Sequence, residues 1–290
     1  MRHLLTADRV RFGRRRDLWI LVALVPVILA VMFVSEFNGV TTPPQFGFFM
    51  DPPDPVAEAE MRAQFLADFR QQMLAQVPAF AFPASLIKIA GNFGPVVLLS
   101  IYLATALVAG EFEWGTVRTV HLTSSRGRTL AVRVGVVVGL IALVVAIGLL
   151  FGTILPFLLS VEGKPLQGYA APVPDFWAGM AYRLAIQLPF IAVPVLMAIL
   201  ARSIGFAFLL TLLFFVADLA ITGAPLWSTS PVPWVPAVTI SGAISRLLGG
   251  SDSPLATLAP VAVSFGALLA WAVVPVLLAI ARFQRLDLNE

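Results

Sequence analysis
The 290-residue chain contains no cysteine, which excludes disulfides, thiolate metal sites and a cysteine nucleophile. Histidine is nearly as scarce, with His3 and His121 the two present. Neither stands in an H-E-x-x-H pattern and neither has a partner set for catalysis, so no metal site and no catalytic residues are expected. No G-x-x-x-x-G-K-[ST] occurs, so the chain does not bind nucleotide through a P-loop of its own. No nucleic-acid module is visible, and nucleic acid is not an expected partner. The largest deficit is charge. Asp, Glu, Lys and Arg make up 12% of the residues against 59% hydrophobic, where a soluble domain carries roughly 25% charged residues. Too few charges remain to coat a water-facing surface, whereas runs of about 20 apolar residues match a ~30 Å hydrocarbon core. The expected fold class is an all-α integral membrane protein with six transmembrane helices.

The chain opens MRHLLTADRVRFGRRRD, in which Arg2, Arg9, Arg11, Arg14, Arg15 and Arg16 are interleaved with Leu4, Leu5, Val10 and Phe12. This predicts an amphipathic interfacial helix over 1–17, its arginines toward anionic lipid headgroups. Spans are expected at about 18–34, 87–109, 130–159, 177–201, 203–223 and 255–281, with a tail over 282–290. A secretory or twin-arginine signal is the rival reading of the first run, but VSEFNG holds no small-x-small cleavage pattern. The third run carries Gly135-x-x-x-Gly139 and Gly148-x-x-x-Gly152 on nearly opposite faces, positions for close packing against two different neighbours.

Two connections are unusual. The external loop 35–86 belongs to a polar interval, 36–88, of net charge −3. Its Pro-rich entry gives way to Met61, Phe65, Phe69, Met73 and Val77 at i+4 spacing, a helix resting on the membrane or on the ends of other spans. A substrate lid is the sharper alternative. Residues 224–254 are too apolar for an ordinary loop. Trp227, Pro231, Pro233, Trp234 and Pro236, followed by a short helix over 237–248, predict a broken, re-entrant segment before the last span.

Arginine and lysine set the orientation. With the N-terminus inside, the inner segments hold 13 of these residues and the outer segments 6, so both termini are expected in the cytoplasm. Within the spans, Arg183 and Asp218 stand out. An unpaired intramembrane charge is costly, so a possible ion pair between them, or snorkelling of each to the interface, is expected rather than a proton relay.

Between the second and third spans lies a polar island, EFEWGTVRTVHLTSSRGRTLAVR, from Glu111 to Arg133. It would form a coupling hairpin over 110–129 on the cytoplasmic side. Glu111 and Glu113 can bind basic or N–H groups of a partner, Trp114 can anchor in a pocket, and Gly115 permits a tight bend before Thr116. Arg118, Arg126 and Arg128 can pair with acidic groups, although Arg128 and Arg133 serve equally as inner topology markers.

Gly110-Glu111, Gly115-Thr116, Ser125-Arg126 and Arg133 together resemble the signature of type 2 ABC transporter permeases. Arg133 stands where lysine is common, and Thr123-Ser124 replaces a proline-containing approach to Ser125-Arg126. The resemblance extends to the basic N-terminus, the six spans and the broken segment before the last. It implies a permease subunit without its own ATPase, working as a pair of identical or homologous copies in the cell membrane, of the bacterial inner-membrane kind. Separate ATPase subunits would dock on 110–129 through Glu111, Glu113, Trp114, Gly115, Thr116, Arg118, Ser125 and Arg126. ATP and Mg would be held by those subunits and no cofactor by this chain. Export of an amphipathic or hydrophobic compound, a drug, peptide or lipid-like molecule, is the implied activity. An ion-coupled carrier using Asp218 is the alternative. An intramembrane enzyme is disfavoured, because no acids, histidines or ligands converge.

Overall fold
A computed structural model describes residues 16–43, 55–91, 94–113, 126–223, 235–249 and 261–285. The elements in order are α1 (Arg16–Thr41), α2 (Pro55–Gln76), a 3-10 turn (Val77–Phe80), α3 (Ala84–Gly91), α4 (Gly94–Val108), α5 (Gly110–Glu113) and α6 (Arg126–Leu158). A two-stranded hairpin follows, β1 (Ser160–Val161) with β2 (Lys164–Pro165), then a second 3-10 turn (Leu166–Tyr169), α7 (Phe176–Ala185), α8 (Pro189–Ala201) and α9 (Ile204–Gly223). The last elements are α10 (Val235–Val238), α11 (Ile240–Gly249) and α12 (Val261–Arg285).

Six of these helical stretches are long and apolar enough to cross a membrane: Trp19–Thr41, Gly94–Glu113, Gly127–Leu158, Phe176–Ala201, Ile204–Gly223 and Val261–Arg285. The chain is a multi-pass, all-α membrane protein. Two expected bounds need correction. The first helix runs to Thr41 rather than ending near 34, because VSEFNGVT contains no breaker that a helix cannot absorb. The second span starts at Gly94, not 87. Ile87 to Gly91 belong to α3, which with Ala59–Phe80 forms a pair bent by 86°. The expected loop 35–86 is therefore largely helical. The interfacial helix expected over 1–17 lies outside the described residues except for its end, Arg16 and Asp17, which starts α1.

The chain divides into two compact units. The first comprises the described residues within 1–25, 93–144 and 181–290; the second, those within 26–92 and 145–180. In the first unit α8 is the central element, burying nine of its thirteen residues and packing against α12, α4 and α9. Ile186, Phe190, Val193, Ile240, Ala243 and Leu268 form a core, with Phe214, Phe215 and Trp271 packed against it. Leu209, Leu213, Val216 and Leu219 of α9, and Val273, Val274, Leu277 and Leu278 of α12, remain exposed. Such faces are suited to lipid. The expected helix over 237–248 is realised as α11, preceded by the single-turn α10; residues 224–234 and 250–260 lie outside the described residues.

The second unit has its own core of Phe33, Phe37, Met73, Val77, Phe80, Ile89, Val161 and Leu166. The i+4 stripe of α2 is buried only toward its end: Met73 and Val77 are in the core, while Met61 is exposed. Pro156 explains one contact of α6. It has no N–H to give the carbonyl of Gly152 four residues earlier, and Ser85 Oγ donates to that oxygen instead, at 2.7 Å. Gly152 allows the approach, since a Cβ there would lie 3.1 Å from Ile89 and 3.4 Å from the Ser85 carbonyl. Gly148 likewise faces Leu29 and Ile89, whereas Gly135 and Gly139 have nothing within 4 Å. One glycine pair of the third run therefore receives neighbours and the other is open.

The hairpin turn sets Glu162 at φ 50° and Gly163 at φ 76°. Glu162 accepts from Arg70 at 2.9 Å, and this hydrogen bond, with the charge of the carboxylate, raises the Arg70 guanidinium above its ordinary pKa. Lys88 forms an ion pair with Glu36 and stands 4.3 Å over the Phe80 ring. These pairs link distant parts of the second unit at its surface.

Candidate functional site
Four chain segments meet at one end of the first unit. The second span ends there in α5, α6 begins there, α8 turns into α9, and α12 finishes. Arg133 lies seven residues into α6, roughly 10 Å along the axis at 1.5 Å per residue. A guanidinium at that position in an apolar helix needs a counter-ion. Glu111 supplies it: Arg133 Nη1 is 2.8 Å from Glu111 Oε1, and both side chains are buried. The same nitrogen donates to the Leu107 carbonyl at 2.8 Å. That oxygen belongs to the last turn of α4, where carbonyls lack helical donors and the dipole favours a cation. One side chain thus fastens the end of the second span to the start of the third.

Glu113 makes a second tie. Its Oε1 accepts from the backbone N–H of Ile204 at 2.6 Å, the first residue of α9. The carboxylate satisfies an N-terminal donor and complements the helix dipole. α9 can start here because Arg202 reverses the chain at φ 56°, its N–H donating to the Ala198 carbonyl as α8 ends. A third tie is apolar. Phe112 meets Phe283 edge to face, with ring centroids 5.9 Å apart. Gly127 brings the start of α6 so close to α12 that a Cβ would lie 3.0 Å from Gln284 Nε2.

Of the residues expected to dock a partner, Glu111 is buried within the subunit. Its carboxylate is turned inward onto Arg133 because a charge within the bundle has the stronger demand for an opposite partner. Glu113 is exposed but caps α9. Trp114, Gly115, Thr116, Arg118 and Ser125 lie outside the described residues, and Arg126 begins α6. Arg133, expected as a marker of orientation as much as a functional group, is the residue around which this end is organised. Its depth in an apolar run was the sequence signal for that role.

The expected Arg183–Asp218 pair is also corrected. No ion pair joins them among the described residues. Asp218 instead serves the first turn of α11: Oδ1 accepts from Ile240 N at 2.9 Å and Oδ2 from Ser241 N at 2.8 Å. Thr239 Oγ1 accepts from Gly242 N at 3.1 Å and lies 2.6 Å from Thr222 Oγ1. The first three N–H groups of α11 are thereby satisfied, which is why a charged residue is tolerated near the end of α9. Arg183 lies on α7, with its Nε unpartnered. No group of acidic or histidine residues able to hold a metal occurs among the described residues.

No protein-family model and no curated protein matches the chain.

Proposed function
We propose that the chain is the membrane-spanning permease subunit of an ATP-driven exporter of the type 2 ABC kind. It would act in the cell membrane with both termini in the cytoplasm, paired with a second copy or a homologue. Separate ATPase subunits would bind ATP and Mg and dock on segment 110–129. The cargo would be an amphipathic or hydrophobic compound. The observation that supports this reading most is the set of ties flanking the polar island. Glu111 with Arg133, and Glu113 with the start of α9, join the two ends of the island to the second, third and fifth spans. A push on residues between 113 and 126 has rigid elements to act on, as a coupling segment requires.

On this reading the island has two roles. Glu111, Glu113 and Arg133 transmit force inside the subunit, while Trp114, Arg118 and Arg126 are left for the ATPase. Asp218, with both oxygens on backbone amides, gives an ion-coupled carrier no free carboxylate at that position. The deciding experiment is purification of the tagged protein in mild detergent and in nanodiscs, with bound proteins identified by mass spectrometry. A stoichiometric P-loop ATPase is expected, lost in the Trp114→Ala/Arg126→Ala variant with membrane insertion intact. Glu113→Ala is expected to retain the ATPase yet hydrolyse ATP without transport. Absence of any ATPase from both preparations would reject the reading.

A further inference from the structure
A cavity of about 420 Å³ lies within the second unit, between the end of α1, the middle of α2 and the β-hairpin. That volume falls in the range that holds a small molecule, roughly 300–1,000 Å³. Phe69, Met73 and Val161 give it apolar walls, while Thr41 and the Arg70–Glu162 pair supply polar lining. Met73 and Val161 belong to the core of the unit and Phe69 packs against it, so these walls are fixed by packing. The side chains of Arg70 and Glu162 are 63% and 38% exposed. They mark the side from which water, and a solute, reaches the cavity.

The polar groups of the lining are only partly used. Arg70 holds Glu162 through Nε, 2.7 Å from Oε1, and through Nη2, 2.9 Å from Oε2. This side-on fork does not engage the two N–H groups of Nη1. Each carboxylate oxygen of Glu162 keeps a second lone pair. Thr41 Oγ1 gives its proton to the Phe37 carbonyl at 2.9 Å, so from any other group it can only accept. Donors thus remain at Arg70, and acceptors at Glu162 and Thr41. Glu162 is also an unusual residue for its place. The hairpin turn has positive φ at both central residues, 50° at Glu162 and 76° at Gly163, and such turns favour Asn, Asp or Gly at the first of them. An exposed ion pair adds little stability, so pairing with Arg70 does not by itself account for a glutamate held in the left-handed region.

We infer that this cavity binds a small apolar zwitterion, a molecule carrying a carboxylate or phosphate and a primary ammonium on a hydrocarbon body. The anionic group accepts from Arg70 Nη1, the ammonium donates to Glu162 and Thr41, and the hydrocarbon covers Phe69, Met73 and Val161. Charge selects this class. The Arg70–Glu162 pair is neutral in sum, so an anion or a cation alone meets one attractive and one repulsive charge, whereas a zwitterion matches both. Free amino acids and short peptides share this chemistry with the ethanolamine headgroup of a lipid. The site lies wholly in the second unit and stands whether or not an ATPase binds the chain.

The test is isothermal titration calorimetry on the full-length protein in dodecyl maltoside, with no ATPase present. Leucyl-leucine supplies the zwitterion, N-acetyl-leucyl-leucine the carboxylate alone and leucyl-leucinamide the ammonium alone; dihexanoyl phosphatidylethanolamine supplies the lipid headgroup. Saturable binding of a zwitterion is expected, with the singly charged peptides weaker than leucyl-leucine by about 10- to 100-fold, the range for loss of a charge-assisted hydrogen bond. Binding of leucyl-leucine assigns a soluble ligand and binding of the lipid alone assigns the headgroup; either result supports the site. No binding of either zwitterion, or equal binding of the singly charged peptides, overturns it. Arg70→Met, and Leu66→Trp, which fills the cavity from a position 44% exposed, are each expected to weaken binding by a similar factor. Glu162→Gly separates binding from folding. It relaxes the turn, so Tm should match or exceed that of the wild type, while binding falls. Unchanged binding in Arg70→Met or Glu162→Gly, whatever happens to Tm, would mark a purely structural pair and also overturn the site.

Discussion

Removing Arg133 would take from the buried Glu111 carboxylate the cation 2.8 Å away, and breaking such a pair from one side costs about 3–5 kcal/mol. Arg133→Ala is therefore expected to lower the thermal stability of the detergent-purified protein severely. Arg133→Met/Glu111→Leu removes both charges and should recover most of the loss; a double variant as unstable as the single one would show that the carboxylate is not the reason. Gly242 poses a steric problem at the same scale. A Cβ there would stand 1.7 Å from the Pro236 carbonyl oxygen, a backbone atom that cannot move without opening the step between α10 and α11. Gly242→Ala should cost about 1–3 kcal/mol and change the emission of Trp271, whose Nε1–H donates to Val238 O at 2.9 Å. Unaltered Trp271 emission together with wild-type stability would contradict that close approach.

At the scale of elements, proline and its compensation explain how broken helices persist in the spans. Pro156 withholds a donor from Gly152 O, and Ser85 supplies one from α3. Ser85→Ala should cost about 1–3 kcal/mol, the price of a buried unpaired carbonyl. In a Pro156→Ala background the helix regains its own donor, so the same substitution should cost much less. Equal losses in the two backgrounds would detach Ser85 from the proline. Asp218 has the corresponding role for α11. Asp218→Asn keeps one acceptor and loses the charge, so a loss of about 0.5–2 kcal/mol, typical of a weakened cap, is expected in thermal unfolding. Were transport in reconstituted vesicles to vanish while stability held, Asp218 would have a function beyond capping.

For the whole molecule, sidedness is the property on which the coupling reading depends. The lack of native cysteine makes single-cysteine labelling direct. In intact cells an impermeant maleimide is expected to label cysteines placed at Glu162 and Asp175, and to spare those at Arg128 and Arg285. Labelling at Arg285 and protection at Glu162 would invert the protein and put the polar island on the wrong side for an ATPase.

Burial was less legible than helicity. Glu111 and Glu113 look alike in sequence, two carboxylates on a polar island. Which faces inward depends on where α6 places Arg133 and where α9 begins, and both are long-range facts. Arg183 and Asp218 illustrate the reverse case, opposite charges in adjacent spans that composition pairs and geometry separates. The N-terminus of α11 offers two N–H donors in fixed positions, and these compete successfully for Asp218. The boundary between α3 and α4 was likewise hidden, since Ile87 to Ala109 reads as one apolar run.

What the sequence alone determined is the solvent and the helices long enough to cross it. Apolar runs of bilayer length can satisfy their backbone only as helices, so scarcity of charge and the spacing of polar breaks were enough for an all-α chain with six helices of that length. Tertiary structure decided which polar atoms are consumed in holding that chain together and which are left over. A hydrogen bond or ion pair is made between atoms brought together from distant parts of the chain, and hydropathy carries no record of that distance. Arg133 and Asp218 are consumed; Arg183 Nε, Gln187 Oε1 and Ser264 Oγ are left over.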